Sequence, residues 1–321
     1  MNTRIVELDF VKGVLITLMV LCHLSLFVMT YKSIVSWVYC FHMSGFLLVS
    51  GYLQKVKENK LGGVKRAIRR IVLPYMIFEG IYLVAIALLG SFLGSSNHSG
   101  LTLASLLERI FVAPIGTYWY LHTLFLCVMV SYFSSLFRLN GFNTLLITGC
   151  ILFILTTLIK GLHWENVMYF IFGSFIQRLN FKFNEFVIPT IFSLVPVALI
   201  SIFAMNLDRS TLSGVGLTFC MVSLLMGMFF YMPKFIKYIF VFLGKNSFAL
   251  LLFSPIFSIL TKQYISFFSF DSTHFLWTFL SLCLVIGLSL LLAFVCDKMR
   301  ISRFIMGANL YLKYSEIRKD S

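Results

Sequence analysis

The sequence has little charge: Asp, Glu, Lys and Arg make up 12% of its 321 residues, and only 12 residues are acidic. Soluble domains carry about a quarter charged residues, so the composition excludes a water-soluble globular protein. Because 60% of the residues are hydrophobic, intrinsic disorder is excluded as well. The net charge of +14 does not indicate nucleic-acid binding, since in so apolar a chain the basic residues mark the loops on one membrane side.

Cysteine and serine motifs are also missing. The seven cysteines form no Cys-x-x-Cys pair and nearly all lie in apolar runs, a pattern typical of neither a disulfide framework nor a zinc site. We therefore expect no metal, and we interpret the cysteines as small apolar side chains of membrane helices. No Gly-x-Ser-x-Gly motif occurs, so nothing in the sequence supports a serine acyl-enzyme.

Long hydrophobic runs dominate what is present, and the mean hydropathy is +0.94. A helix needs about 20 apolar residues to cross the hydrocarbon core of a membrane. Ten runs approach that length: 10–29, 34–53, 71–94, 117–137, 144–160, 164–178, 186–205, 212–231, 239–261 and 275–296. The sequence predicts an all-α, polytopic integral membrane protein with about ten transmembrane helices, forming one domain over residues 1–321.

The distribution of Lys and Arg predicts the orientation. With a cytoplasmic N-terminus and ten spans, 21 of the 26 basic residues fall on the inner side, many of them in the basic loop 54–70. The five outer residues are Lys32, Arg109, Lys160, Arg209 and Lys262. Because cytoplasmic loops carry the excess of positive charge, we expect both termini in the cytoplasm. The expected location is the cell membrane, specifically the bacterial cytoplasmic membrane.

Ionisable residues inside membrane helices are costly and mark candidate functional sites. In the first run, Asp9, Lys12 and His23 share one face at helical spacing, with His23 roughly 16 Å from Lys12 along the axis. Asp9 and Lys12 have an alternative interpretation as an interfacial ion pair. His23 has one as a histidine that hydrogen-bonds between helices for packing.

The second run contains His42 well inside the membrane. Because consecutive helices run antiparallel, His42 and His23 are predicted at nearly the same depth, about 12 Å and 9 Å from the outer boundary. The shared depth indicates a common site, although a polar interhelical contact would also explain His42.

Three further positions have two interpretations each. Glu79, in the third run, is either an ion-pair partner of Lys12 or an arginine, or a site residue. Trp119 opens the fourth run, where an interfacial aromatic belt is the alternative to a site role. Asn246, in the ninth run, either caps or breaks the helix or serves packing, and packing is favoured.

Several motifs together resemble the membrane acyltransferase-3 family, in particular its fucose-4-O-acetylase-like members. The first helix resembles the family signature in Arg4-x4-Asp9-x2-Lys12-Gly13 followed by His23. The other similar segments are Phe41-His42-Met43 with Ser50-Gly51-Tyr52, Arg69-Arg70 with Pro74-Tyr75, Trp119-Tyr120-Leu121, and Gly244-x-Asn246-Ser247. The chain departs from the family pattern where Ser44 replaces a proline and where Ser254-Pro255 replaces His-Pro.

The resemblance implies transfer of an acetyl group from cytoplasmic acetyl-CoA to a hydroxyl of a cell-surface or lipid-linked glycan. It suits His23 and His42 as catalytic groups, because imidazole titrates near neutral pH and can take a hydroxyl proton. Direct transfer and an acyl-histidine intermediate both stay open. Lys12, Arg69 and Arg70 are expected to bind CoA phosphates, with Asp9, Glu79 and Trp119 contacting substrate or supporting the site.

Two other functions are compatible with the sequence. A transporter or exporter of a polysaccharide intermediate would also have many spans and buried histidines, but no Gly/Pro-broken helix pair indicates an inverted repeat. A non-catalytic assembly subunit has no positive support. The expected partners are a glycan or lipid-linked saccharide and membrane lipids, without nucleic acid.

Overall fold

The computed structural model describes residues 5–54, 60–90, 103–137, 139–203 and 207–307, and within these ranges every regular element is helical. The α-helices are α1 (Val6–Leu21), α2 (Ser25–Thr30), α3 (Lys32–Leu53), α4 (Lys60–Ala67), α5 (Leu73–Gly90), α6 (Leu103–Phe111), α7 (Trp119–Ser135), α8 (Gly141–Leu158), α9 (Trp164–Arg178), α10 (Phe183–Phe186), α11 (Leu194–Phe203), α12 (Leu212–Tyr231), α13 (Lys234–Lys245), α14 (Ser247–Leu260), α15 (Phe275–Lys298) and α16 (Ser302–Ile305). A π-helical segment, Ile68–Val72, joins α4 to α5, and short 3-10 segments are Gly116–Tyr118, Ile191–Ser193 and Thr261–Phe268. The all-α prediction is confirmed.

Six helical segments of the described chain are long and apolar enough to cross a membrane. They are Lys32–Leu53, Leu107–Ser135, Gly141–Leu158, Leu212–Tyr231, Ser247–Phe268 and Phe275–Lys298. Each overlaps one of the predicted runs, so a polytopic membrane protein is confirmed. The other four predicted runs correspond to α1, α5, α9 and α11. By length and apolar composition, the described residues therefore support six of the ten predicted spans.

The first predicted run, 10–29, is not one continuous helix. α1 ends at Leu21, a turn follows at Cys22 and His23, and α2 begins at Ser25. His23 Nδ1 lies 2.7 Å from the carbonyl oxygen of Met19, which is the acceptor that the backbone N–H of residue 23 would use in a continuing helix. That N–H bonds instead to Val20, so the last turn tightens and the helix ends.

The ninth predicted run, 239–261, is interrupted as well. α13 ends at Lys245 and α14 begins at Ser247. At the break, the side-chain amide of Asn246 donates to the carbonyl oxygen of Phe242 over 2.9 Å. Asparagine favours such local side-chain bonds over helix continuation. The alternative interpretation of Asn246, that it breaks the helix, agrees with this position, and the residue is also buried among the helices.

Two glycines allow α1 and α13 to cross in close contact. A Cβ added at Gly13 would overlap the backbone of Phe240, and one added at Gly244 would overlap the backbone of Asp9. Small residues at such crossings let membrane helices approach through their backbones. This contact fixes α1 against α13 beside Asp9 and Lys12, and it explains the glycines of two sequence motifs by packing.

α3 and α9 cross in the same way. Gly51 faces the backbone of Phe170, and Gly173 faces the backbone of Leu48. The hydroxyl of Ser174 also donates to the carbonyl oxygen of Gly51 over 3.3 Å. The helix that carries His42 and Ser50 is thus fixed against α9 at its C-terminal end.

The outer surface of the bundle is apolar on several helices. Large side chains of α8 and α11 are strongly exposed, including Leu158 at 70% and Phe203 at 73%. Exposed apolar surface of this extent is unfavourable in water but suits contact with lipid tails. The surface agrees with the composition in indicating a membrane protein.

The two longest hydrophilic stretches are only partly loops. In the basic loop 54–70, α4 and the start of the π-helical segment take up residues 60–70, while Lys55 and Lys57 lie outside the described residues. Between the predicted runs 71–94 and 117–137, the described part of the chain contains α6. The charged residues of these stretches favour loops, but short amphipathic helices also carry charged residues.

Candidate active site

A cavity of about 270 Å³ opens beside the N-terminal half of α1, and we call it the lysine cavity. Side chains from α1, α3, α7, α14 and the π-helical segment surround it. The lining residues are Lys12, Ile16, Met43, Phe46, Ser50, Leu53, Gln54, Ile71, Tyr120, Leu124, Val128, Ser247, Phe248 and Leu251. Most are apolar, with one cation and a few hydroxyl and amide groups among them, as is usual for small-molecule sites.

Lys12 supplies the cation of this cavity. Its Nζ lies 2.7 Å from Oδ1 of Asp9, one helical turn earlier, and 19% of the Lys12 side chain is exposed. Asp9 is buried, so it supports the lysine rather than facing the cavity. The predicted common face of these two residues is confirmed as an ion pair.

A hydroxyl pair forms a second polar feature of the cavity. Ser50 Oγ and Tyr120 Oη lie 2.9 Å apart and join α3 to α7. Sequence reasoning noted both residues within motifs but did not single them out as site residues. Each is a hydroxyl in an apolar helix, where a polar side chain normally bonds to another helix. That pattern could have identified both residues from the sequence.

His23, Tyr39 and His42 form a second group of polar residues, which we call the histidine cluster. The ring of Tyr39 lies between the two imidazoles, with centroids 6.5 Å from His23 and 5.1 Å from His42. Tyr39 precedes His42 by three residues on α3, which places both on one face. That spacing is the signal through which sequence reasoning could have found Tyr39.

Both imidazoles of the cluster are held in one orientation. His23 Nδ1 and His42 Nδ1 each lie 2.7 Å from a backbone carbonyl oxygen, of Met19 and Val38 respectively. A carbonyl oxygen only accepts hydrogen bonds, so a neutral ring must carry its proton on Nδ1 and leave a lone pair on Nε2. His42 Nε2 is buried and has no hydrogen-bond partner among the described residues.

The predicted helical face shared by Lys12 and His23 is wrong. α1 ends before His23, and His23 does not line the lysine cavity. Lys12 lies near the middle of α1, and His23 lies beyond its C-terminal end. Met43, the residue after His42, does line the cavity.

Glu79 does not pair with Lys12, contrary to one of its two predicted interpretations. It is fully buried, and its Oε1 accepts a 2.8 Å hydrogen bond from the backbone N–H of Ile115. No lysine or arginine within 4 Å forms an ion pair with it in the described part of the chain. Its position on α5 turns it toward the segment before α7, where it fixes the chain at Ile115.

Arg69 and Arg70 lie on the π-helical segment and border a separate cavity of about 230 Å³. The residues around it are Gly62, Lys65, Arg66, Arg69, Arg70 and Gly307. Four of these six are cations, so the cavity is suited to an anion. Arg69 and Arg70 do not line the lysine cavity, but Ile71, the next residue, does.

Trp119 begins α7 as predicted. It lies edge-on to Tyr120, with ring centroids 6.4 Å apart. The guanidinium carbon of Arg209 lies 5.4 Å from the centroid of its ring, a cation–π contact. Arg209 was predicted only as an outer-loop charge.

Comparisons with known proteins agree with this architecture. The family model described as an acyltransferase domain matches residues 5–294. Nodulation protein NolL of Mesorhizobium japonicum is 25% identical over 150 residues, a match that covers 43% of this chain. The matched region is 38% of that relative's own length. No solved structure gives a significant match.

Proposed function

Because this chain belongs to the acyltransferase-3 family, we propose that it is a membrane O-acyltransferase. In this proposal it transfers an acetyl group from cytoplasmic acetyl-CoA to a hydroxyl of a cell-surface or lipid-linked glycan. The observation that carries the proposal is the pairing of a cation-bearing cavity with two imidazoles whose Nδ1 atoms are fixed by backbone carbonyl oxygens, along α1 and α3.

The lysine cavity is proposed to bind the pantetheine arm of acetyl-CoA. Pockets for drug-sized ligands measure about 300–1,000 Å³, so a cavity of about 270 Å³ accommodates an arm and not the whole molecule. Lys12 is the cation inside the cavity and is suited to a phosphate. Arg69 and Arg70, beside the neighbouring basic cavity, are proposed to hold the phosphates that stay outside.

The histidine cluster is proposed to carry the chemistry, with His23 as base. Nε2 of His23 takes the proton from the acceptor hydroxyl, and the hydroxyl oxygen attacks the thioester carbonyl. A new ester C–O bond forms, the C–S bond breaks, and the proton passes from His23 to the departing CoA thiolate. The products are the acetylated glycan and free CoA, so the reaction needs no oxidant, reductant or metal ion.

His42 is the second proposed catalytic group. With Nδ1 bonded to Val38, its Nε2 can only accept a hydrogen bond while the ring is neutral. To donate to the developing oxyanion it must be an imidazolium, which in this proposal takes up its second proton from solvent before the transfer and keeps it on Nε2 throughout. Its burial beside Tyr39 holds that nitrogen in a fixed direction, which is what oxyanion stabilisation requires.

The proposed topology has ten spans with both termini in the cytoplasm. It rests on the 21 inner against five outer basic residues of the sequence, and on α1, α5, α9 and α11 as the four spans beyond the six long ones. In this orientation the lysine cavity opens toward the cytoplasm, where acetyl-CoA is available. The histidine cluster then lies toward the outer side, nearer the glycan.

The test is acetyl transfer by the purified protein in liposomes, with radiolabelled acetyl-CoA inside and glycan extracted from cells lacking the protein outside. The proposal predicts label in the glycan, released by mild base as acetate, and none without acetyl-CoA. Movement of glycan across the membrane without acetyl-CoA, and no label, would instead identify a carrier.

A further inference from the structure

The segment 207–211, just before α12, is bonded to α3 and α9. The thiol of Cys40 donates to the carbonyl oxygen of Leu207 over 3.0 Å. The hydroxyl of Tyr169 donates to the carbonyl oxygen of Arg209 over 2.6 Å. These bonds fix the backbone around Arg209 against α9 and against α3, the helix that carries Tyr39 and His42.

The guanidinium of Arg209 forms no ion pair within 4 Å in the described part of the chain. The adjacent carboxylate of Asp208 is bound to Ser210, accepting from its backbone N–H over 2.8 Å and from its hydroxyl over 2.6 Å. Arg209 instead stacks on the ring of Trp119 and is half-buried. This cation–π contact uses the face of the guanidinium and leaves its N–H groups available to a ligand.

Two contacts place Arg209 on the side of the bundle where α3 carries the histidine cluster. Leu207, two residues earlier, accepts a hydrogen bond from Cys40 of α3, and the guanidinium itself contacts Trp119. Lys262, another basic residue predicted on the outer side, is exposed on the 3-10 segment Thr261–Phe268 and forms no ion pair in the described part of the chain.

We propose that Arg209, stacked on Trp119, forms the acceptor subsite and binds an anionic group of the saccharide, a carboxylate or a phosphate. A guanidinium pairs with either through two parallel hydrogen bonds, and a half-buried charge without a partner favours such a ligand. Binding there would orient a neighbouring hydroxyl toward His23 and His42. This inference rests on the proposed function and names its acceptor class as acidic.

The test measures sugar binding in the absence of acetyl-CoA, so it does not depend on catalysis. The protein is placed in phosphatidylcholine nanodiscs, and binding of glucuronate, glucose 1-phosphate and glucose is compared for wild type, Arg209→Gln, Arg209→Lys and the control Lys262→Gln. Wild type should prefer at least one anionic sugar over glucose by about ten-fold or more, as expected for a charge-assisted contact. Which anionic sugar is preferred distinguishes a carboxylate from a phosphate.

Arg209→Gln should lose this preference, Lys262→Gln should keep it, and Arg209→Lys should keep part of it. Unchanged CoA binding by Arg209→Gln shows that the variant is folded. Equal or absent binding of all three sugars by wild type overturns the inference, as does a preference that survives in Arg209→Gln. So does a preference lost when phosphatidylglycerol replaces part of the lipid, because the subsite would then belong to lipid phosphate.

Discussion

The lysine cavity and the histidine cluster are built differently, although both use α1 and α3. The cavity is open space bordered by side chains from several helices, with one cation held by a carboxylate. The cluster is closely packed, and both imidazoles are fixed by backbone carbonyl oxygens. Binding a long flexible donor needs room, whereas proton transfer needs fixed geometry. We therefore assign donor binding to the first region and chemistry to the second.

The two regions should lie toward opposite membrane faces. Reporter fusions after residues 62, 100 and 321 are expected to read cytoplasmic, external and cytoplasmic, because 21 of the 26 basic residues fall on one side in this topology. The change in reporter signal between the two sides is all-or-none. A cytoplasmic signal after residue 100 would reverse the assignment of the cluster to the outer side.

Removing the proposed base should affect the cluster alone. His23→Ala should lower the rate of acetyl transfer by about 10²- to 10⁴-fold, the usual contribution of a general base. The control is His163→Ala, because His163 is exposed and its Nδ1 lies 3.8 Å from Oε1 of Glu165, away from the cluster residues His23, Tyr39 and His42 in the sequence. Activity above about a tenth of wild type in His23→Ala would exclude this residue from the proton-transfer step.

Removing the cation should affect the cavity alone. Lys12→Ala should weaken CoA binding by roughly 1.5–3 kcal/mol, about 10- to 150-fold, through loss of a charge-assisted contact to phosphate. Lys234→Ala, at an exposed lysine of α13, should bind CoA normally.

A double variant separates phosphate binding from support of Asp9. Asp9→Asn with Lys12→Gln removes both charges of the ion pair and leaves no unpaired carboxylate. CoA binding should stay as weak as in Lys12→Ala. Recovery of wild-type affinity in the double variant would show that the lysine serves only its carboxylate partner.

Disturbing the shared scaffold should affect both regions together. In Gly244→Val the new side chain would collide with the backbone of Asp9, and overpacking of this kind costs about 1–3 kcal/mol. Thermal unfolding in detergent should begin at a lower temperature, with CoA binding and acetyl transfer reduced in parallel. Gly287→Val is the matched control, because a Cβ at Gly287 meets no atom within 4 Å. Equal unfolding of the two variants would contradict the close crossing of α1 and α13.

Composition and periodicity predicted the helical class and the membrane setting correctly, because apolar runs and lipid-facing surface follow directly from residue type. The ion pair of Asp9 and Lys12 also follows from local spacing. The breaks at His23 and Asn246 did not, because each depends on a side chain bonding to its own backbone. Hydropathy does not register such bonds, since a single polar residue barely changes the average of an apolar run.

Contacts between distant residues were the other part that sequence reasoning missed. Tyr120 meets Ser50 across 70 positions of the chain, and Arg209 reaches Trp119 through the packing of its turn. Glu79 was assigned a partner by charge alone, but the fold turns it toward Ile115. The sequence shows which residues are costly to bury, whereas the crossings of the helices determine which of those residues contact one another.

The central claim is that donor binding and chemistry occupy separate regions, and CoA binding by His23→Ala tests it most directly. The variant removes the proposed base, whose imidazole does not line the lysine cavity. CoA affinity equal to that of wild type, together with loss of acetyl transfer, is the result we predict. If His23→Ala weakens CoA binding by about ten-fold or more, as Lys12→Ala is expected to do, the two regions form a single binding site and the separation is contradicted.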